Sequence, residues 1–454
     1  MVDAPRPSDA PRTQTRSGLE GPAATVVDIA RDLMRLDTTN YGDDPRSNER
    51  AGAEYVATFL SDLGLEVELV EPAPGRTSVF ARVTGADRTR PALMLHGHLD
   101  VVPADAADWT HPPFNAELVE QDDELYVWGR GAIDMKNMDA MMLAVIADRI
   151  RTGRLPARDI ALTFFADEEA GGRFGSNWLV EHRRDLFDGV SEAIGEVGGF
   201  SFTVRDDLRL YLVETAEKGM AWMRLTAKGR AGHGSMINDD NAVTRLAEAV
   251  ARLGSHTFPV VATKTVSAFL EQVALALDLD PATDPETIVA HLGPIAPMIG
   301  ATLRNTANPT MLDGGYKANV IPGEASAVID GRFLPGQREE FFAELDEVLG
   351  PDISRVNEVD DIAFEVGFEG QLVEAMTACL LAEDPAARAV PYTLSGGTDA
   401  KSLSHLGITG YGFVPLRLPP NLAFADLFHG VDERVPVSSL QFGARVLDRL
   451  LDQV

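Results

Sequence analysis

Residues 96 to 100 read His-Gly-His-Leu-Asp, a spacing that could serve a metal ion. They follow the apolar run Ala92, Leu93, Met94, Leu95, bounded by Pro91, which predicts a buried strand whose end delivers His98 and Asp100 into a cleft. A cation-binding imidazole needs its second ring nitrogen fixed by a carboxylate or carbonyl, and Asp100 stands two residues on. The other reading is a hydrogen-bonded strand end. Asp134, in Trp128-Gly129-Arg130-Gly131-Ala132-Ile133-Asp134-Met135-Lys136, precedes a helical pattern on Met138, Met141, Met142, Val145 and Ile146. Spacing alone favours an N-cap for it, while the glycines flanking Arg130 would also let a carboxylate reach a cleft. Asp167, Glu168 and Glu169 follow the strand-like run Asp159 to Phe165 and precede Gly171 and Gly172. Buried, three adjacent acids would raise one another's pKa unless a cation relieved them; exposed, they would be a solvated turn. Glu196, beside Gly195, Gly198 and Gly199, repeats the pattern of an acid after an apolar strand end.

These residues need a scaffold that brings strand ends together. Val27, Ile29, Leu33 and Leu36 predict a first amphipathic helix, and Ala51, Tyr55, Val56, Phe59 and Leu60 a second that ends near Gly64. Strands are expected at Leu65 to Val70, Ser78 to Val83 and Ala92 to Leu95. The alternation is α/β, and ligands of such sheets collect beyond the carboxyl ends of the strands. At 454 residues the chain exceeds what one core usually supports, so two domains are expected. A formal net charge of -30 opposes a nucleic-acid or anionic-membrane partner, since the long-range field repels both. The single cysteine, Cys379, sits among Leu372, Met376 and Leu380 as a buried helix residue, and it excludes an intrachain disulfide, in keeping with a reducing, cytoplasmic setting. Residues 1 to 24 are rich in Pro, Ser, Thr and Arg without an apolar stretch, and read as a disordered tail rather than a signal peptide. No apolar run is long enough to span a bilayer.

Taken in order, His98 with Asp100, the Trp-Gly-Arg-Gly-Ala-Ile-Asp-Met-Lys segment, Glu168-Glu169, Glu196 and Phe428-His429-Gly430-Val431-Asp432-Glu433-Arg434 resemble the M20 metallopeptidases. That group includes aminoacylases, carboxypeptidases, dipeptidases and a desuccinylase. The resemblance runs from Val26 to the C-terminus. It implies a catalytic domain of dinuclear-metal exopeptidase type and two divalent cations, usually Zn2+, with Co2+ or Mn2+ as alternatives in so carboxylate-rich a site. Asp134 would bridge them, His98 and Glu196 completing one site and Glu169 and His429 the other. Glu168 would be the general base rather than a ligand, and the peptide bond after Asp134 would be cis.

The resemblance further implies an inserted α+β lid and dimerisation domain over 216–366, between catalytic segments 25–215 and 367–454. Glu217-Lys218-Gly219 opens it and Gly254 ends a helix on Val243, Leu246, Val250 and Leu253. Residues 255–313 are extra sequence, with a helix from Thr265 to Leu277, expected to pack on the lid itself or on a partner subunit. Arg332, Asn319 and the loop Gly396-Gly397-Thr398 would hold a substrate carboxylate, although Arg332 could equally pair with Asp330. His233, in Gly232-His233-Gly234, would stabilise the oxyanion from the partner subunit of a homodimer; a loop residue is the alternative. The implied activity is hydrolysis of an amide bond, peptide or N-acyl, beside a free carboxylate of a small molecule. A desuccinylase or deacetylase, and a catalytically silent binding protein, are the competing functions; a silent protein would have lost the base or a ligand, and all of His98, Asp134, Glu168, Glu169, Glu196 and His429 are present.

Overall fold

The computed structural model describes residues 19–454. Contacts divide the chain into two units: one takes in the chain up to Glu214 with Phe368–Val390 and Thr398–Val454, the other Thr215–Gly367 with Pro391–Gly397.

In the first unit, helices α1 (Val26–Met34) and α2 (Arg50–Asp62) lead into strands β1 (Val67–Ala73), β2 (Arg76–Val83) and β3 (Ala92–His98). The hairpin strands β4 (Glu117–Gln121) and β5 (Glu124–Trp128) follow, then helix α3 (Lys136–Thr152), strand β6 (Ile160–Phe165), helix α4 (Ser176–His182) and strands β7 (Val190–Gly195), β8 (Phe200–Arg205) and β9 (Leu208–Glu217). Every residue of β3 is buried, and burying Leu93, Met94 and Leu95 contributes about 1.5 to 3 kcal/mol each, which explains why so polar a stretch can follow them in the interior. Met94 packs with Phe80, Ala161, Leu179 and Leu403 on one face of the sheet, and α3 covers β3 on the other.

The second unit begins with β10 (Gly219–Lys228) and the two-residue β11 (Gly232–His233), followed by helices α5 (Ala242–Ser255), α6 (Lys264–Ala276), α7 (Pro285–Ala290) and α8 (Ala296–Thr302). Strands β12 (Thr306–Gly314), β13 (Val320–Ile321) and β14 (Glu324–Phe333), helix α9 (Arg338–Leu349) and strands β15 (Ile353–Asp360) and β16 (Phe364–Glu365) complete it. The order β12-β14-β10-β15 is antiparallel throughout. Alternation sets its faces: Ala221, Met223, Leu225 and Ala227 point to a core shared with Leu246, Leu253, Ile329, Phe333, Phe341 and Leu345 of β14, α5 and α9, while Trp222 and Arg224 point outward. The unit is α+β.

The chain returns with α10 (Gln371–Glu383), β17 (Ala387–Leu394), α11 (Ala400–Ser404), β18 (Thr409–Gly412), β19 (Arg434–Pro436) and α12 (Val437–Leu450). The first unit's sheet runs β1-β2-β6-β3-β7-β18-β9, and β19, β5 and β4 make a small separate sheet. Strands β6, β3, β7 and β18 are mutually parallel, so their carboxyl ends face one way. Cys379 is fully buried in α10, and burial raises its thiol to about 11.

Four expectations need correction. Leu36 lies beyond α1, which stops at Met34. The strand expected from Leu65 starts at Val67 and runs on to Ala73, since Leu63 N and Leu65 N still close the end of α2 on Leu60 O, and Gly64 N on Ser61 O. Gly254 does not end its helix: α5 runs to Ser255 and stops because His256 is extended. The disordered tail expected to residue 24 lies outside the described residues through residue 18, but Gly21–Ala24 form a 3-10 turn with Pro22 and Ala23 buried, in contact with α3 and α12.

Candidate metal centre

Three neighbouring parallel strands each end in an acid or an imidazole. Strand β3 ends at His98, β6 leads through Ala166 to Asp167-Glu168-Glu169, and β7 leads to Glu196. Strands in a sheet lie about 4.8 Å apart, so these side chains must share one small volume. His98 is fully buried. Its Nε2 lies 3.0 Å from Asp134 Oδ1, 3.3 Å from Glu196 Oε2 and 3.9 Å from Glu168 Oε2. One ring nitrogen carries at most one proton and cannot satisfy three carboxylates by hydrogen bonding, so the arrangement suits a cation.

Asp134 faces both ways. Its Oδ1 meets His98 and its Oδ2 lies 3.2 Å from His429 Nε2, which is 3.1 Å from Glu169 Oε2. The N-cap expected of Asp134 is not made: Met135 occupies the cap position of α3 without a side-chain bond, and the Asp134 carboxylate turns to the two imidazoles instead. The Asp134–Met135 peptide bond is cis.

Nor is the acidic turn solvated. Asp167 is buried, with φ of 67° in the left-handed region that Asp tolerates better than most residues, and its Oδ2 accepts from Phe174 N at 2.8 Å. Its Oδ1 meets Asn40 Nδ2 at 3.2 Å and Arg76 Nη2 at 3.1 Å. Asp100 was expected to orient His98 through its side chain. The shorter contact is from His98 Nδ1 to the Asp100 backbone oxygen, 2.9 Å, against 3.5 Å to Oδ1. The Asp100 carboxylate instead accepts from the backbone N–H of Glu168 (3.2 Å) and Glu169 (3.0 Å) and from Asn40 (2.8 Å). It therefore fixes the turn that carries both acids. His96, in the same motif, is no part of the cluster: neither ring nitrogen has a hydrogen-bond partner among the described residues, and burial lowers its imidazole to about 3.

The electrostatics call for positive charge. Burial, and then the Glu196 carboxylate, push the Glu168 carboxyl well above its ordinary value. Burial likewise raises Glu196 to about 8 and Asp399, at the end of the Ser395-Gly396-Gly397-Thr398 loop, to about 7. Hydrogen bonds with Asp134 and Glu169 raise the His429 imidazole to about 10. Glu169 Oε1 is buried without a hydrogen-bond partner among the described residues. Two sets of ligand atoms lie within 4.8 Å of one another, His98 with Glu168 and Glu196, and His98 with Asp134 and Glu169. Imidazole nitrogens and carboxylate oxygens in this arrangement suit two divalent cations. Distance alone does not separate Glu168 from the ligands, since it belongs to the first set.

His233, Asn319 and Arg332 belong to the second unit, and Gly396 to Thr398 to the loop after β17. His233 on β11 is exposed; it pairs with Val320 of β13, and Gly234 N donates to Asn319 O at 2.9 Å, so the second unit brings His233 and Asn319 side by side. Arg332 takes up the pairing left open by the sequence, with Nε 2.6 Å and Nη2 3.1 Å from the Asp330 carboxylate. Gly396 and Gly397 form the loop after β17, and Thr398 Oγ1 accepts from Ala400 N at 3.1 Å at the start of α11. Asn40, Arg76 and Asp399 were not anticipated as site residues, and Asp167 only as one of three adjacent acids.

A model of peptidase family M20/M25/M40 matches residues 94–453. The probable carboxypeptidase S-like 2 of Dictyostelium discoideum is 28% identical over 78% of this chain and 70% of its own length, and human aminoacylase-1 is 26% identical over 94% of each. Among solved structures, the M20 family metallo-carboxypeptidase Sso-CP2 from Sulfolobus solfataricus has the same fold, with a TM-score of 0.68 at 15% identity over 96% of this chain and 99% of that one. The chain belongs to peptidase family M20/M25/M40 and is a hydrolase of C–N bonds. No helix among the described residues is long and apolar enough to cross a membrane.

Proposed function

We propose that this M20 family member hydrolyses an amide bond, peptide or N-acyl, beside a free carboxylate of a small-molecule substrate. The observation that carries the reading is Asp134, whose two carboxylate oxygens face two different imidazoles while Glu168 stands beside the first. His98 and Glu196 would hold one cation, Glu169 and His429 the other, with Asp134 shared; the N/O donor set fits Zn2+, with Co2+ or Mn2+ as alternatives. When bound, the pair supplies Lewis acidity that makes water a nucleophile at neutral pH and stabilises charge on the carbonyl oxygen.

The chain's own residues do the rest. Glu168 accepts the proton of the attacking water and returns it to the leaving nitrogen. Asp100 keeps Glu168 and Glu169 in register by accepting both their backbone N–H groups. We assign recognition of the substrate carboxylate to Arg332, Asn319 and the Gly396-Gly397-Thr398 loop, with Arg332 exchanging Asp330 for the substrate. His233 is assigned to the oxyanion, acting from the partner subunit of a symmetric dimer. In favour of a dimer, β12 is an edge strand with Met311 and Leu312 exposed, and Met236 and Ile237 are exposed after His233.

The test is a screen of zinc-loaded protein against dipeptides and N-acyl amino acids, each beside its C-terminal amide, with released amine quantified. Turnover of free acids with little turnover of the amides is expected. Equal rates on both would remove the carboxylate requirement, and no turnover of any amide would remove the reading.

A further inference from the structure

The segment that carries His429 and the loop that carries Asp134 are about 300 residues apart in sequence, yet one side chain joins them. Strand β19 pairs with β5 so that Arg434 lies opposite Trp128, and Gly129 N donates to Glu433 O at 2.9 Å. This register places Glu433, which is fully buried, against the loop from Arg130 to Asp134. Both its oxygens are used twice. Oε1 accepts from Ile133 N at 2.7 Å and Asp134 N at 3.2 Å, and Oε2 from Arg130 Nη1 at 2.8 Å and Gly131 N at 3.1 Å. Arg130 is itself held, over the Trp109 ring at 5.1 Å.

We propose that Glu433 is the positioning residue for the Asp134–His429 ligand pair. Its four N–H donors, three of them backbone, fix the loop at the residue whose carboxylate is shared, and the chain from Glu433 back to His429 is only four residues long. Asp432 ties the same segment elsewhere, its carboxylate accepting from Thr110 N and Thr110 Oγ1, both at 2.7 Å, but it makes none of the bonds to the Asp134 loop. The His98–Glu196 side depends on β3 and β7, which Glu433 does not touch. Loss of Glu433 should therefore act unevenly. The cation on the Glu169–His429 side loses the setting of two ligands, whereas the other keeps His98 and Glu196. A residue that merely held the fold together would loosen both sides alike.

The inference rests on the two-cation reading, and the experiment separates the two. Wild-type protein, stripped with a chelator, is titrated with Zn2+ by calorimetry beside Glu433→Gln, Glu433→Asp and Asp432→Asn, with thermal unfolding recorded for each. The amide of Glu433→Gln brings N–H groups against N–H donors, while Glu433→Asp keeps the charge but withdraws it by one methylene. Expected are two strong sites in wild type and Asp432→Asn, and one strong site with a second weakened about 10- to 100-fold in Glu433→Gln, the size usual for residues that orient metal ligands. Glu433→Asp should fall between, and it decides the matter if Glu433→Gln does not fold. Two unchanged sites in either folded Glu433 variant, or equal weakening of both sites, would overturn the proposal. Wild type without a pair of sites would instead overturn the two-cation reading itself.

Discussion

Two histidines of this chain are set in opposite ways. His98 ends a buried strand and meets three carboxylates through one nitrogen, all supplied by the first unit. His233 sits on a two-residue strand of the second unit, exposed, with its Nδ1 2.8 Å from Ser235 Oγ and 3.3 Å from Ser235 N. The sequence sets both among glycines, so the difference comes from what each unit can bury around it. The difference fits the roles proposed for them: a cation ligand is held in place beforehand, whereas a residue that acts on a substrate can be brought to it later.

Four substitutions would break or sharpen that contrast. His98→Ala should have the largest effect, removing the imidazole that faces Asp134, Glu168 and Glu196 together, and elemental analysis should find fewer than two cations per chain with turnover lost. The same change at His429, which is half-exposed, should lower occupancy less. Full retention of both ions in both variants would dissolve the ligand assignment. Next, Glu168→Gln should keep the cations yet lower kcat about 10²- to 10⁴-fold, since it removes only a proton acceptor. Rates near wild type would mean that the base is another group. His233→Ala should keep the cations and cost about 10²- to 10³-fold in kcat, the usual loss of one oxyanion donor. Mixing it with Glu168→Ala under conditions that exchange subunits should restore a substantial fraction of activity, because one site in each mixed dimer is complete. Exchange confirmed by mass without any recovery would place His233 in its own chain or outside the reaction.

The smallest effect is a control in the first unit that involves neither histidine. Asp384 accepts from Arg209 and from Tyr211 Oη at 2.8 Å. Burial alone would raise its carboxyl, but the Arg209 and Tyr211 bonds outweigh that and hold it at about 2. A carboxyl held below its unfolded value of about 3.9 stabilises the fold above that pH and ceases to as pH falls toward 2. Asp384→Asn should thus lower stability at neutral pH by about 1 to 3 kcal/mol and flatten the acid limb of Tm between about pH 4 and pH 2. An unchanged acid limb would show that the pair contributes nothing.

Much of the cluster was legible because side chains that meet at one end of a sheet must follow strand ends, and apolar runs before His98, the Asp167-Glu168-Glu169 turn and Glu196 are visible in a one-dimensional string. The order β6-β3-β7 that makes them neighbours was not, since strand order depends on crossovers rather than on local pattern. Spacing alone favoured a cap for Asp134 because a cap and a side chain turned into a cluster occupy the same place relative to a helix start, and only the imidazoles at its two oxygens distinguish them. Asn40, Arg76 and Glu433 left no local trace of their roles. Asn40 reaches Asp100 across 60 positions and Glu433 reaches Ile133 across 300, so only the folded chain reveals the contact. Gly254 misled for a simpler reason: a glycine favours a helix end but does not impose one.

The burial of Cys379 has a practical side. A thiol enclosed in α10 and raised to about 11 stays protonated and unreactive toward maleimides at neutral pH. Any cysteine introduced at an exposed position then becomes the sole labelling site in the molecule. Cysteines introduced at two exposed positions, Trp222 on the outward face of β10 and Leu155, would likewise be the only thiols to take up a label, with Cys379 left in place.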